Sequence, residues 1–354
     1  MASLVDVKRL NYIGSKFRLL DWITESILEQ TGWTSLEGQH VADLFAGTGI
    51  VSHHFRTSGA VVLSNDAELY SSIITHAFTR SVYTDLCRTT IDLLQAELDN
   101  NPPIPTVGYV TTHYSPYGDC ERQFFTVDNA RRIDYLRGRI EDLRPTLDPD
   151  AYAFLVASLL VSADAVSNVP AVYGCYLKSF KAKALKTLTL VPIHTNTTPP
   201  QEESRTTHLD VLDDTLLEQT HVDLVYLDPP YNSRQYSKNY FPLNIIAQTP
   251  VQLESQPPLR GKTGIPTDCY LSPFCRKMET VEAAFTKLFR DLQTEWIFMS
   301  YNSEATVPQD RMLELMGEYG TATVIERDYK RFKSFRYNKD REIMEYLFCL
   351  HKKS

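Results

Sequence analysis

The chain is predicted to fold as an α/β protein, a Rossmann-like parallel sheet interrupted by a mostly helical insertion. Three observations predict it. A short apolar segment, His40 to Phe45, runs into a Gly-rich turn, then a helical stretch, then a second apolar segment at Ala60 to Ser64. Strand character returns only late, at Val222 to Leu227, Trp296 to Ser300, Ala322 to Glu326 and Met344 to Leu350. Between about residues 85 and 200 the apolar period is helical, and Pro102, Pro103, Pro105, Pro199 and Pro200 sit in the loops that bound this region.

In chain order, residues 17–30 place apolar side chains at helical spacing. His40 to Phe45 reads as a buried strand, Ile50 to Thr57 as a helix, and Ala60 to Ser64 as a strand followed by acids. Arg131 to Leu143 and Tyr152 to Ala163 are helical in period. Residues 249–276, rich in Pro, Gly and Gln, read as a long mobile loop, which by length alone is a place to look for function. The expected division is 1–84, the first part of the sheet domain; 85–204, the insertion; and 205–354, the rest of the sheet domain. No internal repeat or long low-complexity tract is present.

Composition bounds the function. Among 354 residues, 43% are hydrophobic and 23% charged, which excludes wholesale disorder and fibrous repeats. The longest strongly apolar run without a charge, Ala151 to Ala163, has 13 residues, too few for a bilayer that needs about 20. The first residues carry no apolar core with a cleavage site. A soluble cytoplasmic protein is the expectation. Six scattered cysteines without a CxxC pair read as reduced thiols, and Cys269 and Cys275 have no nearby His to complete a zinc set. His53 and His54 are adjacent, about 100° apart on a helix, and cannot share an ion. No structural metal is expected.

The net charge of −8 is unevenly spread. Ala165 to Gln201 contains no acid but holds Lys178, Lys181, Lys183 and Lys186. Between Arg327 and Arg341, seven basic residues face Asp328 and Asp340, with Tyr329, Phe332, Phe335 and Tyr337 interleaved. Basic and aromatic residues together suit a phosphate backbone and stacked bases, although a solvated charged face gives the same pattern.

Two motifs carry chemistry. Asp43-Leu44-Phe45-Ala46-Gly47-Thr48-Gly49 ends a strand and opens a helix, where glycines let backbone approach a ligand. A dinucleotide fingerprint would have a third glycine at position 52, which is Ser52, and this counts against a nicotinamide oxidoreductase. Asp66 follows Gly49 by 17 residues at the end of the next strand, placed either to accept ribose hydroxyls or to cap a helix. The second motif, Asp228-Pro229-Pro230-Tyr231, follows the strand Val222 to Leu227. By chance it would arise on the order of once per thousand such chains. Two prolines end the ladder and fix a rigid turn holding a carboxylate, a carbonyl and an aromatic face. These are the groups an exocyclic amine on a flat ring needs.

With the element Asn11-Tyr12-Ile13-Gly14-Ser15-Lys16 ahead of the glycine turn, the combination resembles the Dam-type and D12 DNA adenine N6-methyltransferases. That family uses S-adenosylmethionine. The resemblance implies that Tyr12 and Lys16 hold the methionine end of the cofactor, although Ser15 replaces a usual glycine and Tyr12 stands where tryptophan can occur. It implies that Asp43, Phe45, Gly47 and Gly49 form the cofactor loop, that Asp66 binds ribose, and that Asp210 meets the adenine of the cofactor. Asp213 competes for that last role, and an ordinary helix cap is the alternative. Asp228, Pro229, Pro230 and Tyr231 become the catalytic motif.

The implied reaction is methylation of N6 of an adenine flipped out of double-stranded DNA. Cytosine N4 or an RNA adenine would fit the same geometry, as would, with less support, a protein amide; a catalytically silent nucleic-acid binder is the alternative from another class. Candidate DNA contacts are Lys178, Lys181 and Lys183, then Arg234 and Lys238 after the motif, then Arg260 and Lys262 in the long loop. Segment 331–341 is a candidate hairpin flanking the target pocket. The family resemblance also suggests a restriction–modification setting with a cognate restriction endonuclease, and a monomer is expected.

Overall fold

A computed structural model describes residues 7–100, 104–329 and 343–353. Helix α1 spans Leu20–Thr31, and strand β1 (His40–Asp43) leads through the glycine turn to α2 (Ile50–Thr57), β2 (Val61–Asn65) and α3 (Leu69–Thr79). Four helices follow: α4 (Asp85–Asn100), α5 (Tyr109–Tyr114), α6 (Val127–Leu143) and α7 (Pro149–Ala165). Then come β3 (Arg205–Thr207), α8 (Asp214–Gln219), β4 (His221–Leu227), α9 (Tyr236–Ala247), α10 (Pro250–Glu254), β5 (Leu259–Arg260) and β6 (Ile265–Pro266). The chain ends with α11 (Met278–Asp291), β7 (Gln293–Asn302), α12 (Gln309–Gly317), β8 (Gly320–Tyr329) and β9 (Ile343–Lys352).

These elements divide into two compact units. The first comprises Met1–Gly14, Glu68–Pro200 and Tyr236–Tyr270; the second comprises Ser15–Ala67, Gln201–Gln235 and Leu271–Ser354.

The second unit holds a seven-stranded sheet in the order β3-β2-β1-β4-β7-β9-β8. Strands β3, β2, β1, β4 and β7 pair in parallel, but β9 is antiparallel to both β7 and β8. The parallel sheet predicted from the sequence is thus present from β3 to β7, and β9 runs against it between β7 and β8. Alternation sorts the sheet into two faces. Ala42, Leu44, Val225, Leu227, Ile297, Met299, Phe348 and Leu350 pack with Val281, Phe285, Leu288, Phe289 and Met312 of α11 and α12 in one core. The register puts Asp43, Tyr226, Phe298, Ser300, Asn302 and Glu345 on the other face, where Phe55 of α2 meets the Tyr226 ring.

The first unit is helical. In α7 the run from Ala151 to Asp164 is buried except at Tyr152, so the helix is apolar all round and forms the interior of this unit. Asp148 caps it by accepting from the Ala151 amide, and Pro149 sits in the first turn. Burial of Phe154, Leu155, Leu159 and Leu160 contributes roughly 1.5–3 kcal/mol each. Tyr12 joins this unit by stacking on Tyr240, ring centroids 4.7 Å apart, and its flanking amides donate to Asp164 and the Tyr240 hydroxyl.

The predicted long loop at 249–276 has local structure. Thr249 and Gln252 form a reciprocal capping box that starts α10, and β5 pairs antiparallel with β6. Gly261 and Gly264 at the tip both have positive φ. The Tyr114 hydroxyl donates to the Gly264 carbonyl, and Arg122 Nε donates to that of Lys262. Gly264 has φ of 73°, a conformation that favours glycine, and a Cβ there would lie 2.7 Å from Arg122 Nε and displace that side chain. Segment 331–341 and most of the Arg327 to Arg341 run lie outside the described residues.

Candidate active site

At the carboxyl edge of the sheet in the second unit, β1 ends at Asp43, two residues before the Phe45 expected from the sequence, and the turn begins. Gly47 and Gly49 have φ of 55° and 70°, a region L side chains rarely enter. The Gly47 amide donates to Asp66 Oδ2 at 2.8 Å, tying the turn to the end of β2. Phe45 packs edge-on against Phe274, centroids 5.1 Å apart.

Asp43 is 1% exposed. Its Oδ2 accepts from the Ser52 hydroxyl at 2.6 Å, while Oδ1 has no hydrogen-bond partner among the described residues. Burial pushes its carboxyl up to about 7; the Ser52 bond opposes this, and Asp228 and Asp66 add to it. Ser52 thus occupies the place where a dinucleotide turn would have its third glycine and uses its hydroxyl on the acid that starts the turn.

Asn65 closes the neighbouring loop. Its side-chain amide donates to the carbonyls of Leu44 and Leu209, and its Oδ1 accepts from Leu209 N. This places Asp210 beside the ends of β1 and β2. Asp210 Oδ1 accepts from Leu212 N in a short turn, whereas Asp213 caps α8 through Thr215 N. Of the two acids, Asp213 is the helix cap.

After β4 comes the Pro-Pro turn. Asp228, 19% exposed, accepts two hydrogen bonds on Oδ1, from Lys16 Nζ at 2.9 Å and from the Tyr231 hydroxyl at 2.8 Å. Among the described residues no donor is recorded on Oδ2. Lys16 is 4% exposed and lies 4.8 Å from the centroid of the Tyr231 ring. Burial raises the Asp228 carboxyl above the usual range, and Lys16 and the Tyr231 bond hold it back. The Tyr231 phenol is raised well above its ordinary value by burial and by Asp228, so it stays protonated and donates. The Tyr231 carbonyl accepts from Thr306 N and Oγ1, and its ring meets Tyr301 edge-on at 5.1 Å, which fixes the turn.

Lys16, Asp43, Phe45, Gly47, Gly49, Asp66, Asp210 and the motif from Asp228 to Tyr231 all belong to the second unit; Tyr12 belongs to the first. Lys178, Lys181, Lys183, Lys238, Arg260 and Lys262 are exposed residues of the first unit, and Arg234 is exposed in the second. Lys183 Nζ also reaches Ser167 Oγ at 3.4 Å. Three residues were missed from sequence. Ser52 and Asn65 bond within the loops just described, and Glu345 of β9 is buried close enough to Lys16 and Asp228 to interact with both. The available signal for Glu345 was a single acid inside the apolar strand IMEYLFCL.

A glycine turn after β1, an acid after β2 and an Asp-Pro-Pro-Tyr turn after β4 thus lie at one edge of an open α/β sheet. The sequence profile described as "D12 class N6 adenine-specific DNA methyltransferase" matches residues 12–308, and the chain belongs to that family. It is 39% identical to the Type II methyltransferase M.CviAII of Paramecium bursaria Chlorella virus 1, over 98% of this chain and 99% of that one. Identity to the Type II methyltransferase M.NlaIII of Neisseria lactamica is 36%, over 97% and 99%. With the Type II methyltransferase M.FokI of Planomicrobium okeanokoites it is 33%, over 97% of this chain but 53% of that one. The chain is an adenine-specific DNA methyltransferase. Among the described residues no helix is long and apolar enough to cross a membrane.

Proposed function

We propose that the methyl donor is S-adenosylmethionine, and that the residues gathered at the sheet edge hold it and direct its methyl group to N6 of an adenine flipped out of duplex DNA. The observation that carries this reading is the Lys16–Asp228–Tyr231 cluster beside the glycine turn, with Asp228 Oδ1 doubly occupied and no donor on Oδ2 among the described residues.

The residues fit such a donor. Asp43 and Glu345 each keep one buried carboxylate oxygen without a hydrogen-bond partner among the described residues, which suits a ligand with a cationic centre. The turn from Asp43 to Gly49 would take its backbone-facing side, Asp66 its ribose hydroxyls and Asp210 its adenine, with Lys16 toward its methionine end. When bound, the donor supplies an electrophilic methyl carbon on positive sulfur.

Lys16 and Tyr231 fix the Asp228 plane, so that Oδ2 and the Pro229 carbonyl accept the two N6 hydrogens and draw the nitrogen lone pair out of the ring. Pro230 keeps the turn rigid. The Tyr231 ring stacks on the extruded base and offsets part of the few kcal/mol that unstacking costs. N6 sheds a proton after it gains the methyl group, so no strong base is needed beforehand. Positioning and preorganised charge supply most of the acceleration.

The first unit would carry target recognition, with Lys178, Lys181, Lys183, Lys238 and Lys262 as its duplex contacts; Arg234 is a candidate contact of the second unit by itself. Lys262 stands on the hairpin tip secured by Arg122 and Tyr114, which supports it as a placed contact. Lys262→Ala and Lys178→Ala are each expected to lower the slope of log affinity against log salt by about one, with the methylated sequence unchanged. A titration of duplex binding between low and moderate salt checks this. An unchanged slope would remove that lysine from the interface. A cognate restriction endonuclease, a monomeric state and a cytoplasmic location complete the proposal.

The experiment that tests the function is labelled methyl transfer from S-adenosylmethionine to mixed-sequence duplex DNA with base-resolved detection. N6-methyladenine in one short context supports the reading. Methyl on cytosine N4, or transfer to RNA alone, would overturn the substrate assignment.

A further inference from the structure

Glu345 lies outside every motif described above, yet it is 7% exposed on the face of the sheet that carries Asp43 and Tyr226. Strand pairing sets it opposite Asn302 of β7 and Arg327 of β8. The Asn302 side chain hydrogen-bonds it, but Oε2 has no partner among the described residues. Arg327 is the cation nearest in register, and its guanidinium lies over the Trp22 ring, 5.7 Å from the centroid. The cation that acts on Glu345 is Lys16, which favours its ionised form, while Asp228 opposes it. Tyr226 and Tyr231 also feel its charge.

A buried, half-bonded carboxylate is a poor way to build a strand. Glutamine has the same shape and can stay neutral, and an uncompensated buried charge is costly. Burial pushes the Glu345 carboxyl up to about 7, which is the mark of that cost. The acid therefore calls for an explanation other than packing, and its interaction with Lys16 and Asp228 offers one.

We infer that Glu345 is a positioning residue of the methyl-transfer site, sharing the charge of Lys16 so that Lys16 orients Asp228 without neutralising it as an acceptor for N6. The inference rests on the proposed role of Asp228. With Lys16 at 2.9 Å and Tyr231 at 2.8 Å on the same oxygen, Asp228 already donates much of its charge to protein partners. A second carboxylate acting on Lys16 takes up part of the ammonium charge and returns basicity to Asp228 Oδ2.

The test is Glu345→Gln, alone and combined with Lys16→Met, with Glu345→Asp as a charge-keeping control. Glu345→Gln is expected to slow single-turnover methyl transfer by about tenfold or more, with the KM for DNA within about twofold. In the Lys16→Met background the same change is expected to do almost nothing, because its effect passes through Lys16. Glu345→Asp is expected to retain more activity than Glu345→Gln. The second readout needs no cofactor. A carboxyl raised in the folded state supports stability at low pH and loses that support as pH rises through about 7. At pH 8.5 the Glu345→Gln protein should therefore melt at or above the wild-type temperature, and the difference should shrink at pH 6.

Wild-type transfer with an unchanged Glu345→Gln rate overturns the inference alone. So does a full-sized effect in the Lys16→Met background, or a fall in melting temperature at pH 8.5 that accompanies the loss of activity. Absence of wild-type transfer to DNA would instead overturn the proposed function and the inference with it.

Discussion

Asp228→Ala is expected to lower the single-turnover methyl-transfer rate by about 10²–10³-fold while duplex affinity changes by less than about threefold. The size follows from what the carboxylate does: it is preorganised toward charge that develops on N6 only during reaction, and removal of one such group costs about 10²–10³ in rate. Binding of DNA draws on basic residues elsewhere, so it should survive. The fold should survive as well. Burial works against the Asp228 charge and Lys16 supports it, and Lys16 retains Glu345 as a compensating charge when Asp228 is lost. Asp228→Asn is a sharper comparison, because its amide can turn an oxygen toward N6 but cannot hold Lys16 as a salt bridge. Quench-flow transfer beside fluorescence anisotropy on the same duplex separates the two effects. Equal losses of rate and affinity would make Asp228 a binding residue and remove the mechanism.

The site was readable where chemistry is local in sequence. Asp-Pro-Pro-Tyr after an apolar strand cannot continue the ladder, and a glycine turn between strand and helix can be placed without knowing any partner. Both lie at the carboxyl edge of one sheet, as the order of elements implied. What was not readable depends on long-range pairing. The direction of β9 is set by its neighbours rather than by its own alternating pattern, and without that direction Glu345 could not be placed beside Lys16, 329 positions away in the chain. Tyr12 likewise acquires its place from Tyr236 and Tyr240, residues that no pattern near position 12 reveals. The long loop was misread for a different reason. Its Pro, Gly and Gln content suggested an irregular coil, and this obscured the Thr249 and Gln252 capping pair and the glycines that turn the hairpin.

Asp66→Ala is expected to weaken S-adenosylmethionine binding by about 10²-fold, an effect that should appear in the cofactor affinity and not in the rate at saturation. Two contributions add. A carboxylate accepting ribose hydroxyls makes charge-assisted bonds, each contributing about 1.5–3 kcal/mol. Asp66 Oδ2 also accepts from the Gly47 amide at 2.8 Å, so its loss frees a turn whose glycines sit at positive φ and have no side chain to hold them. Asp66→Asn distinguishes these contributions. Its side-chain oxygen can still take the Gly47 hydrogen, so the turn is kept and only the charge is lost; a drop of about tenfold is expected. Calorimetric titration with S-adenosylmethionine and with the demethylated product measures both variants. Because ribose is common to the two ligands, Asp66→Ala must weaken them by the same factor. A loss confined to the methylated ligand would place Asp66 near the sulfonium and away from the ribose, and would redraw the direction in which the cofactor crosses the sheet edge.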